Sequence, residues 1–343
     1  MAIALLWVQL AVAAAFILGA SVFLTKNADI IASKTGMGRS FAGVVLLATA
    51  TSLPEMGTGV SSVALIGAPD MAIGAAFGSN LFNLMIIGLL DVLWLNRYIL
   101  NHVGMTSVVI GILGVVVMSL ASLSIFLHST GDVLSTWYVS PVSIVLLGVF
   151  GLAIYSIYRF DQLNKGPKTP GGQDEYSTHR LSVAVLTYIL TATVVIASAI
   201  WLSITGDRLT DLLGWDESFM GTQFLAAATS LPELATSVVA IRIGAPELAI
   251  TNLLGSNLFN MGFVLFLNDM AHTDGAIWVA ASQIHILTAT LSVLMTAIVV
   301  LAVVSRPRAT RPGLITSESM LLIGLYVVAS FLVFHLGGRF AAG

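Results

Sequence analysis

Apolar residues fill this chain in long blocks of roughly 20, the length a helix needs to cross a bilayer. Ten such blocks are predicted, at about 3–24, 40–66, 70–95, 102–127, 137–158, 181–204, 217–243, 246–268, 277–304 and 314–337. The second and seventh are interrupted by Pro54 and Pro232. Between the fifth and sixth lies RFDQLNKGPKTPGGQDEYSTHR, residues 159–180, whose Gly, Pro and charge mark a linker. It separates residues 1–158 from 181–343, five spans in each part. The predicted fold class is therefore an all-α membrane protein of ten transmembrane helices. The first block has no basic residues ahead of it and is expected to be a helix that stays, not a cleaved signal.

Charge gives the expected orientation. With the N-terminus outside, the inner loops hold 12 of the 14 Lys and Arg, and only Arg208 and Arg339 fall outside. Positive residues favour the cytoplasmic side. Both termini are thus expected outside a cell membrane and the linker in the cytoplasm. Composition agrees: 57% of residues are hydrophobic and 9% charged, against about 25% charged in soluble domains. There is no cysteine, hence no disulfide or thiol chemistry, and nothing suggests a nucleic-acid surface.

Three words recur in order. ATSLPE stands at 50–55 and 228–233, GAP at 67–69 and 244–246, and GSNLFN at 78–83 and 255–260. The offset is 178 for the first pair and 177 for the other two. Since each part has an odd number of spans, the second enters the membrane upside down, an inverted-topology repeat. Such folds put substrate near the midplane, where broken helices of the two halves meet.

Glu55 and Glu233 then become informative. A carboxylate at membrane depth is costly unless paired or neutralised, and the spans offer no Lys or Arg partner. The missing counter-charge is a bound cation or a proton. Pro54 and Pro232 lack an N–H and release carbonyls from the helix ladder, around Ala48–Ala50 and Ala226–Ala228. Beside these stand the hydroxyls of Thr51, Ser52, Thr229 and Ser230. Ser79 and Asn83 share a helix face at a spacing of four, as do Ser256 and Asn260. All are hard oxygen donors, which suit Ca2+, Na+ or Mg2+ over Zn2+ or Cu+.

Other polar residues read more simply. Gly74 and Gly78 permit close helix approach. Asn80 and Asn257 lie one step off the Ser/Asn face and are expected to hydrogen-bond between helices. Asp70 and Glu247 begin helices, where negative charge is favoured. Asp91 and Asp269 are expected at the interface, and His285 is read as a structural histidine.

The paired ATSLPE and GSNLFN words resemble the α-repeats of the Ca2+/cation antiporter superfamily, in its Na+/Ca2+ exchanger branch, across essentially all ten spans. The resemblance implies helices 2, 3, 7 and 8 around four adjacent cation sites, with helices 1 and 6 as a long tilted pair sliding past them. It implies that Glu55 and Glu233 hold Ca2+ with Thr51 and Thr229. One flanking Na+ site would use the Ala48 carbonyl, Thr51, Ser52, Glu55 and Ser79. The other would use the Ala226 carbonyl, Thr229, Ser230, Glu233 and Ser256, with Asn83 and Asn260 lining the middle position. Two positions depart from many relatives: Ala50 and Ala228 replace Gly, and Asn260 replaces Asp. The second removes a possible third carboxylate and favours exchange independent of K+.

The expected activity is Na+/Ca2+ antiport by alternating access, by a chain that acts as a monomer in the lipid bilayer with no cofactor beyond the transported ions. A Ca2+/H+ antiporter using the same glutamates stands as the alternative. An ion channel fits less well, since a channel wants a continuous run of weak sites. No HExxH or GxSxG motif suggests an enzyme.

Overall fold

A computed structural model describes residues 2–35, 48–94, 98–130, 138–163, 179–305 and 316–340. The principal helices in chain order are α1 (Ala2–Thr35), α2 (Ala48–Thr51), α3 (Leu53–Ser61), α4 (Pro69–Leu93), α5 (Met105–Thr130) and α6 (Pro141–Leu163). They continue with α7 (Leu181–Leu213), α8 (Glu217–Phe219), α9 (Ala226–Thr229), α10 (Leu231–Arg242), α11 (Pro246–Phe259), α12 (Leu265–Ala271), α13 (Ile284–Ser305) and α14 (Ser317–Phe340). Among the described residues eight helices are long and apolar enough to cross a membrane. A ninth is added if Glu217–Thr229 and Leu231–Arg242, bent by 41° at their junction, form one span. The span expected at 40–66 lies outside the described residues up to position 47.

Helices α1 and α7 run well past the apolar blocks that announced them, ending at Thr35 and Leu213 instead of about 24 and 204. At 1.5 Å per residue, the 34 residues of α1 and 33 of α7 make rods of about 50 Å. A hydrocarbon core of about 30 Å admits such rods only if they tilt or project. They pack against each other as the most extensive helix pair among the described residues. Helix α6 likewise continues to Leu163, so the first residues of the expected linker are helical; residues 164–178 lie outside the described set.

The core sits on α4 and on the span Pro246–Ala271. Of their apolar windows, 83% and 67% of residues are buried, against 22% for α6, α7 and α14, which turn their apolar side chains towards lipid. Close approach at the core depends on glycine. A Cβ on Gly78 would collide with the backbone of Thr222, and one on Gly221 with the backbone of Met71 and Ala75. The packing role expected of Gly74 and Gly78 is thus visible as contact between α4 and the π-turn Met220–Leu225 that leads into α9.

The two GAP words make the same turn. Gly67 and Gly244 adopt φ of 77° and 79°, left-handed values that favour glycine. Pro69 and Pro246 begin the next helix, where their missing N–H costs nothing. Two more π-turns account for the changing offset. Twelve residues lead from Glu55 to Gly67 but eleven from Glu233 to Gly244, and the extra one is absorbed in the π-turn Ser62–Ile66. Eight lead from Asn83 to Asp91 but nine from Asn260 to Asp269, and there the π-turn Asn260–Val264 takes up the difference. A one-residue insertion into a helix commonly survives as such a bulge.

Asp91 and Asp269 stand near the ends of their helices, as expected, and are tied into the protein there. Asp269 is fully buried, and its oxygens accept from the backbone N–H of Ile277 at 2.7 Å and of Ser140 at 2.8 Å. Asp91 accepts from the N–H of Ile99 at 2.8 Å and from the hydroxyls of Thr316 and Ser319 at 2.8 and 2.6 Å. Each carboxylate binds the N–H eight residues ahead and reaches a distant helix start. Loop N–H groups at a span end have no helical partner, and the aspartates supply one.

Candidate cation-binding site

ATSLPE bends the backbone identically in both halves. Ser52 has φ −92°, ψ 8° and Ser230 φ −87°, ψ 7°, values that interrupt the helix before it restarts at Leu53 and Leu231. Pro54 and Pro232 occupy the first turn of the new helices, so Ala50 and Ala228, four residues back, receive no N–H from them. The Ala226 carbonyl, expected free, is not: it accepts from the N–H of Ser230 at 3.0 Å and the hydroxyl of Thr229 at 3.2 Å. The reason is local, since Ser230 still completes the last turn of α9 and the proline's loss falls on Ala228 instead. Ala48 is the first described residue of α2.

The breaks bring both carboxylates into the buried centre. Glu55 is 3% exposed and Glu233 is fully buried, and they lie within electrostatic reach of each other. Hydroxyl contacts join the halves around them. Ser230, from the second half, donates to Glu55 at 3.2 Å. Ser256 donates to Glu233 at 3.2 Å and lies 3.1 Å from the hydroxyl of Ser52. No Lys or Arg pairs with either carboxylate among the described residues.

Four asparagines form the adjoining wall. Asn83 donates to Asn257 at 3.0 Å, Asn257 to the Asn80 carbonyl at 3.3 Å, and Asn260 to the Asn80 side chain at 3.5 Å. Asn80 and Asn257 thus link α4 to α11 and its continuation. Among the candidate ligands, five buried oxygens lack a hydrogen-bond partner among the described residues: Oε2 of Glu55, Oε2 of Glu233, Oγ of Ser79, and Oδ1 of Asn83 and Asn260. Buried polar atoms are nearly always satisfied, so this concentration of unpartnered oxygens beside two carboxylates is suited to a cation. Among the described residues there is no cluster of three or more His, Asp or Glu. The donors are therefore two carboxylates with hydroxyl and amide oxygens, the hard set that Ca2+ and Na+ take.

Residues 5–159 and 183–335 match the family model described as sodium/calcium exchanger protein. The chain belongs to the sodium/calcium exchanger family. It is 26% identical over 266 residues to the putative antiporter CaxA of Alkalimonas amylolytica, covering 74% of this chain and 79% of that one. It is 22% identical over 284 residues to the sodium/calcium exchanger MaX1 of Methanosarcina acetivorans, covering 74% and 80%. Its fold resembles that of the sodium-calcium exchanger NCX_Mj, with a TM-score of 0.60 and 18% identity over 95% of this chain and 98% of that one. As a member of this exchanger family the chain is a multi-pass membrane protein and a cation antiporter.

Two polar groups outside the centre find structural partners. His285 Nε2 lies 3.1 Å from Asp70, and its ring stacks on Phe77. Asp70 also accepts from the hydroxyl of Ser218 and, at 2.7 Å, from the N–H of Ser282. Asp70 therefore ties α4 to the starts of two other spans, more than the helix-end role its position suggested.

Proposed function

We propose that this exchanger-family protein moves Ca2+ out of the cell against Na+ by alternating access, with Glu55 and Glu233 as shared ligands of both ions. The observation that carries this is hydroxyl bonding that joins the halves at both carboxylates: Ser230 of the second half holds Glu55 at 3.2 Å, and Ser256, which holds Glu233, meets Ser52 of the first half at 3.1 Å. A cation between them joins the two halves, and two carboxylates neutralise one Ca2+. Thr51 and Thr229 complete the Ca2+ position. Ser52, Ser79 and the Ala48 carbonyl serve one flanking Na+, while Ser230 and Ser256 serve the other without the Ala226 carbonyl, which is already hydrogen-bonded. Asn83 and Asn260 keep the middle position neutral, which favours independence from K+. Because the same carboxylates serve both ions, a full Ca2+ load and a full Na+ load exclude each other, and that competition is what makes transport an exchange.

In this reading the chain forms ten spans as two inverted five-helix repeats, 1–158 and 181–343. The termini lie outside, the linker 159–180 faces the cytoplasm, and the monomer is the working unit. The long pair α1 and α7 would move past the core that holds the site.

The test is uptake of radioactive Ca2+ into proteoliposomes driven in turn by outward Na+, K+ and H+ gradients. Uptake with Na+ alone supports the proposal. Uptake driven by H+ without Na+ assigns the same glutamates to Ca2+/H+ exchange.

A further inference from the structure

Asn268 is fully buried in α12, and neither its Oδ1 nor its Nδ2 has a hydrogen-bond partner among the described residues. The amide presses against Gly59: a Cβ there would come within 2.5 Å of Oδ1 and 2.7 Å of Nδ2. Gly59 follows Glu55 by four residues and Ser62 follows it by seven, positions that fall on one helical stripe. Along that stripe Glu55 Oε2 and Ser62 Oγ are also buried without partners. The hydroxyls of Thr58 and Ser61, by contrast, are bonded, Thr58 to the Pro54 carbonyl at 3.0 Å and Ser61 to Ser203 at 3.0 Å.

The second half does not repeat this arrangement. At the offset of 178 that relates Asp91 to Asp269, Asn268 corresponds to Leu90, itself fully buried. Gly59 corresponds to Ser237 by the offset of the ATSLPE words. Helix packing alone is therefore met at the equivalent place by an apolar side chain of similar volume.

We propose that Asn268 is a second oxygen station for the transported cation, outside the two-glutamate site, on the route from Glu55 to the membrane face at which α3 ends. Its Oδ1 replaces part of the ion's water shell one helical turn from the carboxylate, and Ser62 takes over one turn further. An amide oxygen is a neutral hard ligand, so a cation can pause there and leave again, as a conduction step needs. The missing Cβ of Gly59 is what lets the amide lie directly against α3. The inference rests on the antiporter reading above.

The test uses full-length protein in proteoliposomes, reading initial Na+-driven Ca2+ uptake alongside equilibrium Ca2+ binding to the purified protein. Asn268→Leu, which keeps volume and removes the oxygen, is expected to slow uptake at least tenfold while Ca2+ affinity stays within about threefold of wild type. Asn268→Ser keeps a neutral oxygen and is expected to retain more uptake than Asn268→Leu. Gly59→Ala, which presses a methyl into the amide, should reproduce the Leu phenotype and decides the matter if Asn268→Leu does not fold. Wild-type uptake in Asn268→Leu, or in Gly59→Ala if the former fails to fold, overturns the proposal. So does an equal fall in uptake and affinity, which would make Asn268 a prop of the central site. A wild-type protein that moves no Ca2+ sinks the antiporter reading instead.

Discussion

Ser79 and Ser256 occupy the same place in the two GSNLFN words, yet their hydroxyls differ. Ser256 holds Glu233 and meets Ser52, whereas Ser79 Oγ is unpartnered. A hydrogen bond to a charged group contributes about 1.5–3 kcal/mol. Ser256→Ala should therefore weaken both Na+ activation and Ca2+ affinity by on the order of tenfold. Ser79→Ala should shift Na+ activation with little change for Ca2+. Na+ and Ca2+ activation curves of the two variants check this, and identical curves for both would show the asymmetry to be without consequence. The carboxylates, hydroxyls and amides of the site were legible in the sequence, because polar residues stand out in an apolar block and here appear twice. Their pairing was not: Ser230 on Glu55 and Ser52 against Ser256 are contacts between segments 175 and 204 residues apart, and spacing within a helix carries no information about them. Asn268 went unremarked because no repeated word contains it.

Single-residue insertions shape the elements. The π-turn at Ser62–Ile66 had one trace in the sequence, the change of offset between ATSLPE and GAP, which by itself reads as a lost residue; that at Asn260–Val264 shows only in the spacing from Asn260 to Asp269. Asp91 and Asp269 had a trace too, since both precede an isoleucine by eight residues, but the meaning of that pair needed the loop N–H groups to be seen. Asp269→Ala would leave the Ile277 and Ser140 N–H groups buried without acceptors, at about 1–3 kcal/mol each. A clear fall in the melting temperature of purified protein is expected, and an unchanged one would contradict the clamp. Gly78→Ala would drive a methyl into the Thr222 backbone. Backbone cannot yield as a side chain does, so a destabilisation of about 3 kcal/mol or more is expected, read in the same melting assay. A stable Gly78→Ala would mean that α4 and the Met220–Leu225 turn can separate freely.

At the scale of the molecule, the two long helices, the buried core and the charge balance belong to one device. Eight of the ten spans expected from apolar length stand as long apolar helices among the described residues, and the long first and sixth helices were implied by the family resemblance; the ends of α1, α6 and α7 overshoot their apolar blocks because polar residues continue a helix once it leaves the hydrocarbon. A pocket with two carboxylates is neutral with one Ca2+ and positive with more than two Na+. The two half-cycles then carry different charge. Moving one elementary charge through 100 mV is worth about 2.3 kcal/mol, so Na+-driven Ca2+ flux in voltage-clamped proteoliposomes should respond clearly to membrane potential. Flux indifferent to voltage would point to electroneutral exchange. The most direct measurement of the central claim is equilibrium Ca2+ binding to purified protein, in wild type, Glu55→Gln and Glu233→Gln, with and without Na+. We expect one Ca2+ per chain in wild type, displaced by Na+, and affinity lowered by on the order of 100-fold or more in each variant, since the charge of the ligand set falls by half. Wild-type Ca2+ affinity in either variant, or binding that Na+ does not displace, would contradict a shared two-glutamate site.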